Sequence, residues 1–427
     1  MPQASDPLPV LWLCGPAGVG KTTAGWEFFS RLTASGFPVG YVDIDQLGVF
    51  LPGPPEDPDR HRMKTQNLAA VLANFRERGA RCVVVSGVVD PVQGVYVHEL
   101  PGTDVTVCRL RADREELARR FTGRGMPPHM VQETLDEADV LDASGVGDVC
   151  IDTTGLAVSE VLQQMAERIG DWPVPGRSAG DGETAQAAAG RSTGREDIPA
   201  RAEPGAEAWS ARPLLPRRPS PGGAASRPPE SGASAPGLPV LWLCGPTGVG
   251  KSTIGWQVYQ RVDNSVRAAY LDLDQLAFLR PAPPDDPAHH RLKASNLAAL
   301  WHAYRAAGAR ALIVTGQVDD EATALLYTAA LPLVSVTLCR LRASRTTLLE
   351  RINSRGQGGS WAAPGDPLKG RPVADLLRTA EEAAATAEAL DRAALGHLCI
   401  ATDDRTAEES AAAITAAWPS HRSSEGT

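Results

Sequence analysis

Lysine is nearly absent. The chain has 427 residues and 42 basic ones, yet only Lys21, Lys64, Lys251, Lys293 and Lys369 are lysines. Where lysine persists in a chain dominated by Arg, Ala, Gly and Pro, its compact, strongly hydrated ammonium group has a chemical use. Apolar runs near the roughly 20 residues of a membrane-spanning helix are missing. The first apolar run, Val10 to Cys14, is too short for a secretory leader and leads into a glycine loop, so a cytoplasmic protein is expected. The net charge is −9 with no basic block, which argues against nucleic-acid binding driven by counterion release. No Cys-x-x-Cys or His/Cys spacing of a zinc site occurs. Six of the seven cysteines recur in matching apolar runs, Cys14 with Cys244, Cys108 with Cys339 and Cys150 with Cys399, and read as buried thiols.

What is present is a repeat. LPVLWLCGPAGVGKTT, from Leu8, returns as LPVLWLCGPTGVGKST, from Leu238. GYVDIDQL matches AYLDLDQL, HRMKTQNLAA matches HRLKASNLAA, and GARCVVVSGVVD matches GARALIVTGQVD, all in the same order. The period is far longer than that of a solenoid. Two whole domains are therefore expected, over residues 1–171 and 238–418. The segment 172–237 is rich in Ala, Gly, Pro, Ser and Arg and reads as a disordered linker, and 419–427 as a disordered tail. Within each repeat, short apolar strands alternate with helical patterns, the signature of an α/β fold with a parallel sheet covered on both faces.

GPAGVGKT, from Gly15 to Thr22, and GPTGVGKS, from Gly245 to Ser252, both fit the phosphate-loop pattern G-x-x-x-x-G-K-[ST]. Each follows an apolar strand and precedes a helix. The nucleotide site then comprises Gly15, Gly18, Gly20, Lys21, Thr22 and Thr23, and Gly245, Gly248, Gly250, Lys251, Ser252 and Thr253. Backbone N–H groups would cradle phosphate oxygens, Lys21 and Lys251 would reach the β- and γ-phosphates, and the Thr22 and Ser252 hydroxyls would face Mg²⁺. The third strand ends in Ser86-Gly87 and Thr315-Gly316 rather than in a carboxylate, and no [NT]KxD or LSGGQ motif occurs. These gaps argue against a motor ATPase, a GTPase and a transporter ATPase.

The carboxylates lie on the second strand instead, as Asp43-x-Asp45 and Asp272-x-Asp274. Spaced two apart in a strand, both would leave one face at the carboxyl end of a parallel sheet. One could orient Mg²⁺ and the other accept a hydroxyl proton. Capping of the next turn is the alternative. Arg62, Lys64, Arg291 and Lys293 follow on a basic helix. They would recognise an anionic or polyol acceptor, or else form a solvated face. His61, Lys64 and Asn67 share a helix face. Arg120 and Arg124, repeated as Arg351 and Arg355, share a face of an Arg-rich segment flanked by glycines.

This order of motifs resembles the P-loop small-molecule kinases, the shikimate, gluconate and adenylylsulfate kinases among them. It also resembles actinobacterial P-loop ATP-binding proteins of unassigned function. The resemblance covers both repeats and implies two tandem five-stranded parallel sheets of order 2-3-1-4-5 with a mobile lid. It implies ATP and Mg²⁺ as cofactors, Asp45 and Asp274 as the groups that bind or deprotonate the acceptor hydroxyl, and Asp43 and Asp272 on the magnesium side. It makes Arg120, Arg124, Arg351 and Arg355 lid arginines closing over the γ-phosphate. SGVVD and TGQVD depart from the Gly-Gly-Gly run of shikimate kinases, so the acceptor is left open. The adenine-side loop reads IDTTG in the first repeat and IATDD in the second. The function expected is phosphotransfer from ATP to a small-molecule hydroxyl, with no nucleic-acid or membrane partner and possible pairing of the two domains. The alternatives are a regulatory ATPase of slow hydrolysis and, if the basic helix binds a phosphate, a nucleotide kinase.

Overall fold

A computed structural model of the chain describes residues 6–122, 128–170, 172, 237–263, 266–359, 366 and 368–418. The expected linker, apart from its end residues Trp172 and Gly237, and the expected tail lie outside the described residues. The first repeat runs β1 Leu8–Cys14, α1 Lys21–Ala34, β2 Val39–Asp43, α2 His61–Glu77, β3 Cys82–Ser86, β4 Thr103–Arg111, α3 Arg114–Thr122, α4 Pro128–Ser144, β5 Val149–Asp152 and α5 Val158–Ile169. The second runs β6 Leu238–Cys244, α6 Lys251–Asp263, β7 Ala268–Asp272, β8 Phe278–Arg280, α7 His290–Ala306, β9 Ala311–Thr315, α8 Glu321–Ala329, β10 Val334–Arg342, α9 Arg345–Gly356, α10 Val373–Arg392, β11 Leu398–Ala401 and α11 Ala407–Ala417.

The fold is α/β. The second sheet is ordered β11-β10-β6-β9-β7 and the first β5-β4-β1-β3-β2-β8. Counted within each repeat, the parallel strands follow the order 2-3-1-4-5. β1 and β3 are apolar along nearly their whole length because helices cover both faces of the sheet, and Val10, Leu11, Leu13 and Val83 to Val85 are fully buried. Gly40 lets α2 press onto β2, since a Cβ there would lie 2.4 Å from the Phe75 ring. Two cysteines depart from the buried-thiol expectation. Cys399 is exposed and Cys150 half-buried, because both sit on strands at a sheet edge, where only one neighbouring strand shields them.

The sixth strand of the first sheet comes from the second repeat. β8 pairs antiparallel with β2, Gly40 opposite Leu279. The reciprocal bridge joins Phe50 to Ala269, with the Tyr270 N–H donating to the Val49 carbonyl at 3.0 Å. Aligning Asp43 with Asp272 makes Phe50 equivalent to Leu279 and Gly40 to Ala269, so the two repeats pair about a pseudo-twofold axis. α2 packs on α7, Phe278 meets the Trp26 ring edge-on at 5.0 Å, and the Arg267 guanidinium lies 5.0 Å over Phe50. Apolar residues of both repeats share one buried cluster.

Candidate active site

The P-loops connect β1 to α1 and β6 to α6. Gly15, Gly18 and Gly20 have φ of 139°, 83° and 104°, and Gly245, Gly248 and Gly250 have 144°, 83° and 100°, values that a side chain would resist. α1 begins at Lys21 without a side-chain cap, so the amides of its first turn remain free to donate to an anion. Lys21 is buried and its Nζ donates to the Pro16 carbonyl at 2.9 Å. Lys251 Nζ donates to the Gly245 and Pro246 carbonyls at 2.9 and 3.2 Å. Burial pulls both ammonium pKa values down. Asp45, Glu137 and Asp43 oppose this at Lys21, and Asp274 and Asp272 at Lys251.

The aspartate pairs differ from the two-residue strand expectation. β2 stops at Asp43, whose carboxylate accepts the Asp45 N–H at 3.0 Å and caps a 3-10 turn over Ile44–Leu47. Asp272 accepts the Asp274 N–H at 3.0 Å and caps Leu273–Gln275 in the same way. Asp45 and Asp274 therefore project from a turn, not from a continuing strand. Burial and then the charge of Asp45 push the Asp43 carboxyl up to about 7. Burial and then Asp274 push Asp272 up to about 6, although the Ser252 hydroxyl donates to it. At Asp274 burial raises the pKa, but Lys293 and Lys251 outweigh it and hold the carboxyl below its usual range.

The basic helix divides into two faces. Lys64 Nζ reaches Asp45 Oδ1 at 2.9 Å and Lys293 reaches Asp274 at 2.8 Å. Arg62 pairs instead with Glu99 at 2.6 Å and Arg291 with Asp285 at 2.9 Å, both with more than half of the side chain in solvent. The lysines meet the aspartate turns, and the arginines form the solvated face. Asn67 Nδ2 donates to the Leu47 carbonyl and Asn296 Nδ2 to the Leu276 carbonyl, each at 2.6 Å, tying the helix to each turn. Beside Lys64 the side chains of Trp12, Ile44, His61, Asp90 and Tyr96 close together and leave no room for a water-sized molecule. The Tyr96 hydroxyl donates to Asp90 at 2.8 Å, and the buried Trp12 Nε1 and His61 Nδ1 have no hydrogen-bond partner. In the second repeat His290 bonds Asp319 and the Tyr327 hydroxyl, each at 2.9 Å.

On the other side of the first P-loop, a cavity of about 450 Å³ is lined by Gly18, Gly20, Thr23, Arg120, Thr153 and Leu156. Arg120 donates to the Val19 carbonyl at 3.2 Å and to the Thr153 carbonyl at 2.9 Å. Arg351 repeats this with Val249 at 3.1 Å and Thr402 at 2.7 Å. Both arginines tie a P-loop to the loop after the last strand. Arg355 holds Asp366 through two 3.0 Å bonds, and Arg124 lies outside the described residues. Asp90, Asp319, Thr153, Thr402 and Glu137 were not singled out from the sequence. Asp90 coincides with Asp319 within the repeat SGVVD/TGQVD, and Thr153 with Thr402 when Ile151 is aligned with Ile400. That recurrence is the signal that would have found these four.

Magnesium fits the donor set. Magnesium bound with a nucleotide takes one or two carboxylates together with phosphate oxygens. Asp272 with Ser252 offers such a carboxylate, and Asp43 with Thr22 is its sequence equivalent. Among the described residues no helix is long and apolar enough to cross a membrane.

A family model described as an AAA domain matches residues 11–141, less than a third of the chain. No curated protein matches. The solved structures similar to the chain include the Deinococcus radiodurans tunicamycin resistance protein, 24% identical, covering 38% of this chain and 95% of that one at a TM-score of 0.30. A gluconokinase from Sinorhizobium meliloti is 20% identical over 38% and 90%, at 0.25. An APS kinase from Mycobacterium tuberculosis is 18% identical over 42% and 96%, at 0.27. The P-loops, the strand order and the family match are those of a P-loop fold, which suggests nucleotide binding.

Proposed function

We propose that the chain is an Mg-ATP-dependent phosphotransferase with two tandem domains, 1–171 and 238–418, acting in the cytoplasm on a small-molecule hydroxyl. One observation carries this reading. In both repeats a P-loop lysine, a strand-end aspartate and a Lys–Asp pair converge at the carboxyl edge of the sheet. ATP phosphates are bound by the loop amides and by Lys21 or Lys251, which leave their carbonyl partners to do so. Thr22 with Asp43, and Ser252 with Asp272, would hold Mg²⁺, which neutralises phosphate charge when bound. Base contacts are assigned to the cavity beside Arg120 and Thr153.

Asp45 and Asp274 orient the acceptor hydroxyl. The oxygen attacks the γ-phosphorus, the bond from that phosphorus to the β,γ-bridging oxygen breaks, and the hydroxyl proton passes to the carboxylate. Lys64 and Lys293 fix the carboxylates in place. At Asp274 the lysine charges also hold the carboxyl low, so proton transfer there comes late, which suits a loose phosphoryl transition state. The body of the acceptor is assigned to the side of His61, Asp90 and Tyr96 in the first repeat, where these side chains would have to part to admit it.

The test is transfer of labelled γ-phosphate from ATP into a fractionated small-molecule extract with Mg²⁺. A labelled organic product that disappears in Asp45→Asn/Asp274→Asn is expected. Label appearing only as inorganic phosphate, at a rate the double variant shares, would remove the proton-acceptor role. It would favour a second reading, a regulatory ATPase, which the pairing of β8 with β2 supports because it joins two nucleotide sites.

A further inference from the structure

The pairing of the repeats has a direction. Asn74 in α2 donates from Nδ2 to Asn296 Oδ1 at 2.8 Å. Asn296 is fully buried, and its own Nδ2 donates to the Leu276 carbonyl at 2.6 Å. Leu276 directly follows the turn that carries Asp274, and one helical turn before Asn296 on the same helix, Lys293 grips Asp274. An amide has one acceptor end and one donor end. With the Asn74 donor on Oδ1, the Asn296 amide is locked with its donor toward Leu276. Without it a flipped amide would set oxygen against the Leu276 carbonyl, and the unflipped one would leave a buried acceptor unpaired, which is unfavourable.

Among the described residues the reverse link is missing. Aligned on Asp43 and Asp272, the residue opposite Asn74 is Ala303, and Asn67 makes its single side-chain bond to Leu47. Both aspartate turns lean on the other repeat through backbone pairing, β8 on β2 and Val49 against Tyr270. Side chains of the second repeat also pack past the first turn, Arg267 over Phe50 and Tyr304 beside it, but among the described residues the amide chain from Asn74 through Asn296 to Leu276 has no counterpart there.

We infer that Asn74 of the first repeat is a positioning residue for the active site of the second, setting Asp274 through Asn296 and Leu276, so that the second site is complete only when the first repeat is docked. The inference rests on the phosphotransfer reading for its kinetic consequence but not for the link itself.

The test uses the full-length chain in two backgrounds. In Lys21→Ala, Mg²⁺-dependent release or transfer of labelled γ-phosphate reports the second repeat, and in Lys251→Ala it reports the first. Adding Asn74→Ala is expected to lower kcat roughly tenfold in the first background with KM for ATP unchanged, since displacing a reacting group by a fraction of an ångström has effects of this order. The second background should be unaffected, and Asn74→Gln, which still donates, should restore most of the loss. Equal loss in both backgrounds, or none in the first, overturns the inference. Backbone hydrogen exchange on the ATP-free chain separates the two levels. Faster exchange over residues 273–280 but not over 44–51 in Asn74→Ala supports the link, even in a protein that turns over no ATP, a result that would sink only the phosphotransfer reading. Unchanged exchange over 273–280 overturns the link.

Discussion

Asp43 stands at the end of β2 with its carboxyl pushed up to about 7 by burial and by the Asp45 charge. In the unfolded chain the same group titrates near 4. Between those values the folded protein holds a proton that the unfolded protein releases. Stability therefore falls as pH rises from about 4 to 7, and the full penalty of an ionised Asp43 persists above 7. Asn at this position keeps the oxygen that caps the 3-10 turn through the Asp45 N–H and removes the charge. A gap of roughly three units at about 1.4 kcal/mol each sets a ceiling of about 4 kcal/mol. We expect about half of it from Asp43→Asn, because the buried amide brings an NH2 group that must itself be desolvated beside Lys21 and Lys64. At roughly 2–4 °C per kcal/mol, the variant should melt on the order of 5 °C above the parent at pH 8, and the difference should vanish near pH 4. Thermal melts across pH without nucleotide measure this. The same variant should lose most of the further stabilisation that Mg-ATP, but not ATP with a chelator, gives the parent. A difference independent of pH, or a variant less stable at pH 8, would refute the electrostatic reading of Asp43.

Two further outcomes are expected. Arg120→Ala removes the guanidinium that joins Val19 to Thr153 beside the large cavity, so with the second repeat silenced by Lys251→Ala, KM for ATP should rise about tenfold with little change in kcat. A loss confined to kcat would instead assign Arg120 to the γ-phosphate. Gly40→Ala drives a methyl to 2.4 Å from the Phe75 ring on the strand that carries β8. It should lower stability by about 1–3 kcal/mol, read as a fall in Tm, and an unchanged Tm would show that α2 gives way without penalty.

Much of this architecture was legible because it was written twice. A P-loop seen once is a short pattern, whereas seen in register with its strand and helix in two repeats it identifies the fold. The scarcity of lysine pointed to Lys21, Lys64, Lys251 and Lys293, and all four lie at the aspartates or the P-loops. Helical geometry already separates positions 62 and 64 by about 200°, so the split between outward arginine and inward lysine was available in principle. The end of β2 was not. Whether Asp43 continues a strand or caps a turn depends on a local competition between ladder and side-chain hydrogen bonds that residue type leaves open. β8 was equally hidden, since three residues carry no periodic signal and their pairing partner lies in the other repeat.

The two sites that the duplication produced are not electrostatically equal. Aligned on Asp142 and Asp391, which bind the equivalent Arg109 and Arg340, Glu137 in α4 stands opposite Thr386 in α10. Burial pushes the Glu137 carboxyl up, against the pull of Lys21, so the first P-loop lysine sits among three carboxylates. The second sits near two, and there the charge of Arg355 adds to the field at Lys251. An entering triphosphate therefore meets more negative charge in the first site, and a divalent cation has more to offset there, before any residue that touches the acceptor is considered. One backbone plan thus carries two P-loops of different electrostatic surroundings. The asymmetric Asn74–Asn296 strut runs from the repeat with the more acidic P-loop surroundings to the turn of the other.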